Sequence, residues 1–201
     1  LYKTENYRHR YPVCWRCKEE LVFRLVSEWF ISSDEIRPLM KENAKKVNWY
    51  PEHGGKLMQD WLDNMGDWNI SRRRYWGLPL PFYECTCGHT EILGSKEELK
   101  KLATDKDLVD KLPELHKPWI DEIKIKCSKC KEEVSRILDI GYCWLDAGIV
   151  PFSTLNYLSD KTYWKKWFPA EFITEMREQI RLWFYSMLFM STTLKNTIPY
   201  K

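Results

Sequence analysis

The chain has 201 residues, of which 44% are apolar and 15% aromatic, and this is enough to bury a core in one large domain or two small ones. Lysine and arginine number 32 against 29 aspartates and glutamates, so the net charge of +3 does not by itself indicate a nucleic-acid-binding protein. The absence of an apolar run of about 18 residues and of a signal-type start argues against a membrane or secreted protein and favours a cytoplasmic one.

The first third of the chain is predicted to pass from extended structure into two helices. Residues 1–30 are rich in aromatic residues, and residues 21–26 alternate in a way that favours a strand. A helix is expected from Ser33, as its N-cap, to Lys46. A second helix is expected from Gly55 to Met65, where apolar residues recur at helical spacing.

The remainder of the chain indicates a mixed α/β protein. Prolines and glycine between Ile70 and Tyr83 favour short strands or loops, and a charged segment at residues 84–139 contains a helix near Lys96 to Ala103. Residues 170–174 are expected to form a buried strand that leads into a long helix at residues 177–194. A strand end followed by a helix is where doubly wound α/β folds bind ligands. The chain starts at Leu1 without methionine and stops just after this helix, so we expect a piece of a longer protein.

Six of the seven cysteines fall in three close pairs, a spacing typical of metal sites in a reducing compartment. Cys85 and Cys87, together with Cys127 and Cys130, offer two thiols on each of two tight turns, which is the ligand set of a structural Zn²⁺ site. Free surface thiols and a disulfide remain as alternatives.

The third pair, Cys14 and Cys17, has no partner pair in the chain and is interpreted as half of a metal site. His9 or His53 could complete this site, although a lone histidine is more often an ordinary hydrogen-bonded residue. Cys143 lies between two aromatic residues and is expected to be a buried apolar group.

Four blocks in unbroken order resemble the class I aminoacyl-tRNA synthetases, and among them the isoleucine enzymes. They are Tyr11-Pro12-Val13-Cys14-Trp15-Arg16-Cys17, Ser71-Arg72-Arg73-Arg74-Tyr75-Trp76-Gly77-Leu78-Pro79, Trp144-Leu145-Asp146-Ala147-Gly148, and Glu175 with Glu178-Gln179-Ile180-Arg181-Leu182-Trp183-Phe184. The chain departs from the family in having Met176 and Leu182 where glycines are common, and Glu178 in place of an aspartate. The family's ATP signatures, His-Ile-Gly-His and Lys-Met-Ser-Lys-Ser, are absent from the 201 residues.

The resemblance implies the second half of a Rossmann-like nucleotide-binding fold with an inserted zinc knuckle subdomain. The implied divisions are residues 1–30 as the end of the editing insertion, 31–83 as core helices and a strand, 84–139 as the zinc-binding insertion, and 140–201 as the Rossmann-like core. By the same resemblance the whole enzyme is a monomeric ligase that takes isoleucine, ATP with Mg²⁺ and tRNA(Ile), and this piece alone is inactive. A valine or leucine enzyme, or a noncatalytic zinc-stabilised RNA-binding module, remains an alternative.

The resemblance also assigns roles to particular residues. Glu175, Glu178 and Gln179 are implied to bind the aminoacyl-adenylate, and Trp144 and Trp183 to form walls of the amino-acid pocket. An acidic residue near a helix start also suits the helix dipole, and a tryptophan also suits a core, so these roles have structural alternatives.

A basic and aromatic block is the remaining candidate site. Arg72, Arg73 and Arg74 are predicted to contact tRNA or phosphate, because guanidinium groups beside aromatic rings suit both. The alternative is a surface strand whose arginines pair with Asp60, Asp63 and Asp67.

Overall fold

The structure is a computed structural model that describes residues 2–201. Its helices are, in chain order, α1 (Arg37–Ala44), α2 (His53–Asn64), α3 (Lys96–Leu102), α4 (Lys106–Asp110), α5 (Cys143–Gly148), α6 (Val150–Ser153), α7 (Lys161–Trp167) and α8 (Trp183–Lys195). Two 3₁₀ helices lie at Trp119–Glu122 and Arg177–Arg181. The helices expected at residues 55–65 and 96–103 are confirmed within two residues at each end.

The strands are short and pair as antiparallel ribbons. They are β1 (Phe30–Ile31), β2 (Trp68–Asn69), β3 (Ser71–Arg72), β4 (Phe82–Glu84), β5 (Thr90–Ile92), β6 (Lys124–Lys126), β7 (Glu133–Ser135) and β8 (Ile140–Gly141). The pairs are β1 with β2, β3 with β8, β4 with β5, and β6 with β7. One isolated parallel bridge joins Ala170 to Tyr200.

Two expected strands are wrong in extent. Residues 21–26 form no strand and are exposed, and the strand-like pairing before them is limited to the isolated bridge between Val13 and Glu20. The segment 170–174 is reduced to the bridge at Ala170, and Phe172 is 79% exposed. A strand persists only where a neighbour pairs with it, and in the described residues these segments have almost none.

The starts of two helices also differ from expectation. Ser33 is fully buried and does not cap α1, because its hydroxyl donates to the Gly66 carbonyl at 3.1 Å and its N–H donates to Asp67 Oδ1 at 3.0 Å. The long helix expected from Arg177 is divided at Leu182 into a 3₁₀ turn and α8. At Ser33, long-range hydrogen bonds to Gly66 and Asp67 therefore take the place of a local helix cap.

The main core lies between α1, α2 and α8. Met40, Met58, Leu62 and Leu188 are fully buried in it, and Trp68 packs edge-on against Phe189 with ring centroids 4.8 Å apart. Burial of apolar surface contributes about 25 cal/mol per Å² to the free energy of folding, so these side chains stabilise the packing of α1, α2 and α8 against one another.

Helix α5 contacts α8 backbone to backbone. A methyl group placed on Gly148 would lie 2.8 Å from the Ser186 carbonyl oxygen, closer than real side chains approach. Only glycine permits this approach, so α5 is held directly against the first turn of α8.

The segment between β4 and β7 has an apolar core of its own. Tyr83, Leu99, Val109, Ile123 and Ile125 are almost completely buried in it. It coincides with most of residues 84–139, the charged segment of the sequence, and we call the part from β4 to β7 the insertion. Among residues 2–201, no helix is long and apolar enough to cross a membrane.

Buried Arg136 joins this insertion to the main core. Its guanidinium donates to the carbonyls of Leu80 and Asp139, each at 2.9 Å, and its Nε donates to Asp121 at 3.0 Å. Leu80 lies where the chain enters the insertion and Asp139 where it leaves. One side chain therefore holds both ends of the insertion together.

Candidate metal centre and adjoining sites

Four thiols meet at one end of the insertion. The sulfur atoms of Cys85, Cys87, Cys127 and Cys130 all lie within 4.8 Å of one another. Cys85 Sγ is 3.4 Å from Cys130 Sγ, and Cys87 Sγ is 3.8 Å from Cys127 Sγ. With Zn–S bonds of about 2.3 Å, a tetrahedral Zn²⁺ site has S–S edges of about 3.8 Å. The four cysteines can therefore hold a metal such as zinc, and they fill its tetrahedral sphere with thiols.

Two tight backbone turns present these thiols. In the first, Gly88 has φ of +78° and its N–H donates to the Cys85 carbonyl at 2.9 Å. In the second, Lys131 has φ of +68° and its N–H donates to the Cys127 carbonyl at 3.0 Å. The backbone N–H of Cys130 lowers the pKa of the Cys127 thiol to about 6. At Cys127 the turn therefore favours the thiolate form that a metal binds.

The third cysteine pair, Cys14 and Cys17, lies on the same kind of backbone turn as Cys127 and Cys130. Lys18 has φ of +67° and its N–H donates to the Cys14 carbonyl at 2.8 Å, as Lys131 does to Cys127. Each pair continues with Lys-Glu, and this repeat in the sequence could have revealed the likeness. In the described part of the chain, no third metal-binding side chain joins Cys14 and Cys17. His9 bonds to the Arg10 carbonyl instead.

Glu91 links the two turns and was missed by the sequence analysis. Its Oε1 accepts the Ser128 N–H at 3.0 Å and lies 2.9 Å from His89 Nε2, which is 3.0 Å from Ser128 Oγ. Hydrogen bonding by Ser128 keeps the pKa of the Glu91 carboxyl below its usual value. A strand residue thus fixes the Cys127 turn from outside the thiol cluster.

We expect Glu91→Gln to release the metal faster than the unsubstituted protein. Loss of a group that orients metal ligands typically costs about 10- to 100-fold in affinity. The measurement is the rate of zinc transfer to a chromogenic chelator. Glu133→Gln is the matched control, since Glu133 makes an exposed pair with Lys124 in the same insertion. Equal release rates for the two variants would contradict this role of Glu91.

The two tryptophans assigned to the amino-acid pocket lie on adjoining helices. Trp144 is in α5 and Trp183 begins α8. Trp183 Nε1 donates to the Ala147 carbonyl at 3.1 Å, and its N–H donates to Gln179 Oε1 at 3.0 Å. Both rings are partly buried, so each can offer an apolar face and still reach a ligand.

The carboxylates of the same block are exposed. Glu175 lies in the irregular segment before the 3₁₀ turn, where Met176 has an ordinary extended backbone. Glu178 lies on that turn and lines a groove of about 740 Å³ with Asp60 and Arg181. The exposed side of this turn therefore carries acceptors for hydroxyl or ammonium donors.

The three arginines differ in their surroundings. The Arg72 guanidinium stacks 3.8 Å from the Tyr142 ring centroid, and Arg73 donates to the Ser27 carbonyl at 2.9 Å. Arg74 lines a cavity of about 650 Å³ with Cys143, which is exposed rather than buried as expected.

The alternative pairing of these arginines is not found. Within residues 2–201 no ion pair joins them to Asp60, Asp63 or Asp67, and Asp63 pairs with Lys41 instead. Among the described residues, the three arginines therefore have no carboxylate partner.

Residues 11–201 match the family described as tRNA synthetases class I (I, L, M and V). The chain therefore belongs to this family, as the four sequence blocks indicated. In residues 2–201 the only parallel strand pairing is the isolated Ala170–Tyr200 bridge, so the described residues do not by themselves form a Rossmann-like sheet.

Several of the similar relatives are isoleucine–tRNA ligases. That of Clostridium tetani is 44% identical over 204 residues, covering 100% of this chain and 19% of the relative. That of Methanopyrus kandleri is 37% identical over 216 residues, covering 100% and 20%. The chain thus spans about a fifth of the length of these relatives.

Among solved structures, the agnB2 LeuRS of Agrobacterium radiobacter K84, in a ternary complex with tRNA and LeuAMS, is similar to the chain. The similarity covers 68% of this chain and 19% of that one, with a TM-score of 0.46 and 21% sequence identity. A score this low adds nothing to the family assignment.

Proposed function

We propose that the chain is part of an isoleucine–tRNA ligase. The whole enzyme joins isoleucine to ATP, forming isoleucyl-adenylate, and then transfers the isoleucyl group to tRNA(Ile). The observation that supports this proposal is 44% identity to an isoleucine–tRNA ligase along the entire chain. A valine or leucine enzyme, and a noncatalytic zinc-stabilised RNA-binding module, are the competing functions.

The residues of the chain then have distinct parts in this reaction. Trp144 and Trp183 form rigid apolar walls for the branched side chain of isoleucine, supported by the direct contact between their helices. Glu175 accepts hydrogen bonds from the bound adenylate, and Glu178 and Gln179 bind its ribose hydroxyls. The Mg²⁺ that accompanies ATP shields the charge of the phosphates. It prefers oxygen ligands, so the cysteines have no part in binding it.

The experiment is isoleucine-dependent exchange of pyrophosphate with ATP by the full-length protein, with and without Glu175→Gln. A lost carboxylate contact to a charged or polar group costs about 1.5–3 kcal/mol, so we expect kcat/KM to fall about 10- to 150-fold. Glu171→Gln, four residues earlier on the same exposed segment, is the control. Exchange that depends on valine or leucine instead would favour those enzymes, and no exchange at all would favour the noncatalytic module.

We also propose that Cys85, Cys87, Cys127 and Cys130 hold a structural Zn²⁺. The S–S distances and the two preformed turns support this assignment. Because all four positions are thiols, the metal has no open position for a substrate.

Cys14 and Cys17 are proposed as half of a second zinc site. The backbone turn that they share with Cys127 and Cys130 supports this, since it already aims two thiols together. The other two ligands would come from a segment outside these 201 residues.

Arg72, Arg73 and Arg74 are proposed to contact tRNA or phosphate. Their lack of carboxylate partners in the described residues and the stacking of Arg72 on Tyr142 support that contact.

The remaining architecture is proposed to follow the family. The Ala170–Tyr200 bridge belongs to a Rossmann-like parallel sheet that other parts of the protein complete, and residues 1–30, 31–83, 84–139 and 140–201 form the successive units. The separate apolar core of the insertion supports the boundaries near residues 84 and 139. The enzyme is proposed to be a cytoplasmic monomer.

A further inference from the structure

Five lysines form a continuous basic surface far along the chain from the arginine block. They lie on α7, at the end of α8 and at residue 201, and we name them the lysine arc: Lys161, Lys165, Lys166, Lys195 and Lys201.

Tyr157 joins two members of the lysine arc, Lys161 and Lys195. The Lys195 ammonium lies 4.8 Å from the centroid of its ring and that of Lys161 lies 5.5 Å away. Hydrogen bonding and charge from Lys195 lower the pKa of the Tyr157 phenol. Two ammonium groups therefore converge on one ring and raise the local positive potential.

The other members follow along α7 and into a groove. Lys165 is four residues after Lys161 and so lies on the same helix face. Lys165, Lys166 and Lys201 line a groove of about 670 Å³. The basic surface therefore continues from Tyr157 into this groove.

Few carboxylates compensate the lysine arc. None of its five members forms an ion pair with a described residue. Asp160 is the N-cap of α7, where it accepts the N–H groups of Thr162 and Tyr163 at 3.1 and 2.9 Å and forms no ion pair with the neighbouring lysines. Glu171 is the one acidic residue among those lining the groove.

Exposed aromatic rings lie between the lysines. Tyr163 is 43% exposed and Trp167 is 53% exposed, and the Lys166 ammonium is 5.3 Å from the Trp167 ring centroid. Phosphate-binding cations interleaved with exposed rings are the arrangement that binds RNA, because the cations contact the backbone and the rings stack on bases or riboses. Lysines alone would serve any anion, whereas the rings favour a nucleic acid.

We propose that the lysine arc binds the phosphodiester backbone of RNA, with Trp167 as a stacking surface. The identification of that RNA as tRNA rests on the proposed function. The site is separate from Arg72, Arg73 and Arg74, so the chain would hold its RNA at two places.

The test compares two triple variants of the full-length protein that lose equal charge. One is Lys161→Gln/Lys165→Gln/Lys166→Gln. The control is Lys45→Gln/Lys100→Gln/Lys124→Gln, which removes lysines that are exposed but already paired with carboxylates. The dissociation constant for tRNA is measured by fluorescence anisotropy across a series of KCl concentrations.

Each phosphate contact contributes about 0.7–0.9 to the slope of log Kd against log salt, so the lysine arc variant should lose about 2–3 from this slope. Its Kd at low salt should rise at least about tenfold, and Trp167→Ala should weaken binding without changing the slope. An unchanged slope, or an equal loss in the control, would overturn the proposal.

A further measurement separates this proposal from the proposed function. Formation of the adenylate uses only ATP and isoleucine, so the lysine arc variant should keep isoleucine-dependent exchange within about twofold of the unsubstituted protein. If the unsubstituted protein shows no exchange, the ligase assignment fails, and the slope comparison still decides whether the lysine arc binds RNA.

Discussion

Cys127→Ser in the full-length protein is expected to abolish stoichiometric zinc binding and to unfold the insertion between β4 and β7. Cys127 is fully buried and its sulfur lies 3.8 Å from that of Cys87. Structural zinc contributes roughly 10–16 kcal/mol of apparent binding free energy in small zinc domains, which is more than a small apolar core supplies alone.

The measurement is zinc content together with hydrogen exchange. Amides of β6 and β7 should lose their protection, while those of α8, including Leu188, should keep theirs because they lie in the main core. Cys143→Ser is the control, since Cys143 is exposed and lies outside the thiol cluster. Full zinc occupancy in Cys127→Ser would contradict the four-thiol site.

The second large effect is expected from Asp121→Asn. This change keeps the shape of the side chain but leaves the Arg136 guanidinium, which is 1% exposed, without its carboxylate partner. Breaking a buried ion pair by removing one partner costs about 3–5 kcal/mol, and Lys117 adds positive charge nearby.

We expect the metal-loaded Asp121→Asn protein to lose about 3 kcal/mol from the free energy of opening of the insertion, measured by hydrogen exchange at Tyr83 and Ile125. Glu133→Gln breaks the exposed pair with Lys124 and should cost less than about 1 kcal/mol. If both variants lost the same amount, the buried pair would not be what attaches the insertion.

What the sequence predicted well depended on local spacing. The cysteine pairs needed only tight turns to bring two thiols together, and the 39 residues between Cys87 and Cys127 were no obstacle because loop closure costs little more in a long loop. Helix α2 was likewise recognisable from its own apolar repeat, since that face packs into the core.

What the sequence missed depended on distant partners. Ser33 has the composition of an N-cap, yet its hydroxyl bonds to Gly66, and no local rule anticipates that contact. Glu91 acts on a turn 37 residues away through Ser128. Residues 170–174 were expected to form a buried strand, but a strand requires a neighbour to pair with, and in the described residues only Ala170 has one.

The absence of a side chain at Gly148 has a consequence for engineering the amino-acid pocket that we propose between Trp144 and Trp183. Helices α5 and α8, which carry Trp144 and Trp183, are already in backbone contact at Gly148 and Ser186. The slot therefore cannot be narrowed by moving α5 towards α8, and a side chain added at Gly148 would break their contact. Redesign for another amino acid therefore has to replace the rings themselves, and a library should vary Trp144 and Trp183 while leaving Gly148 untouched.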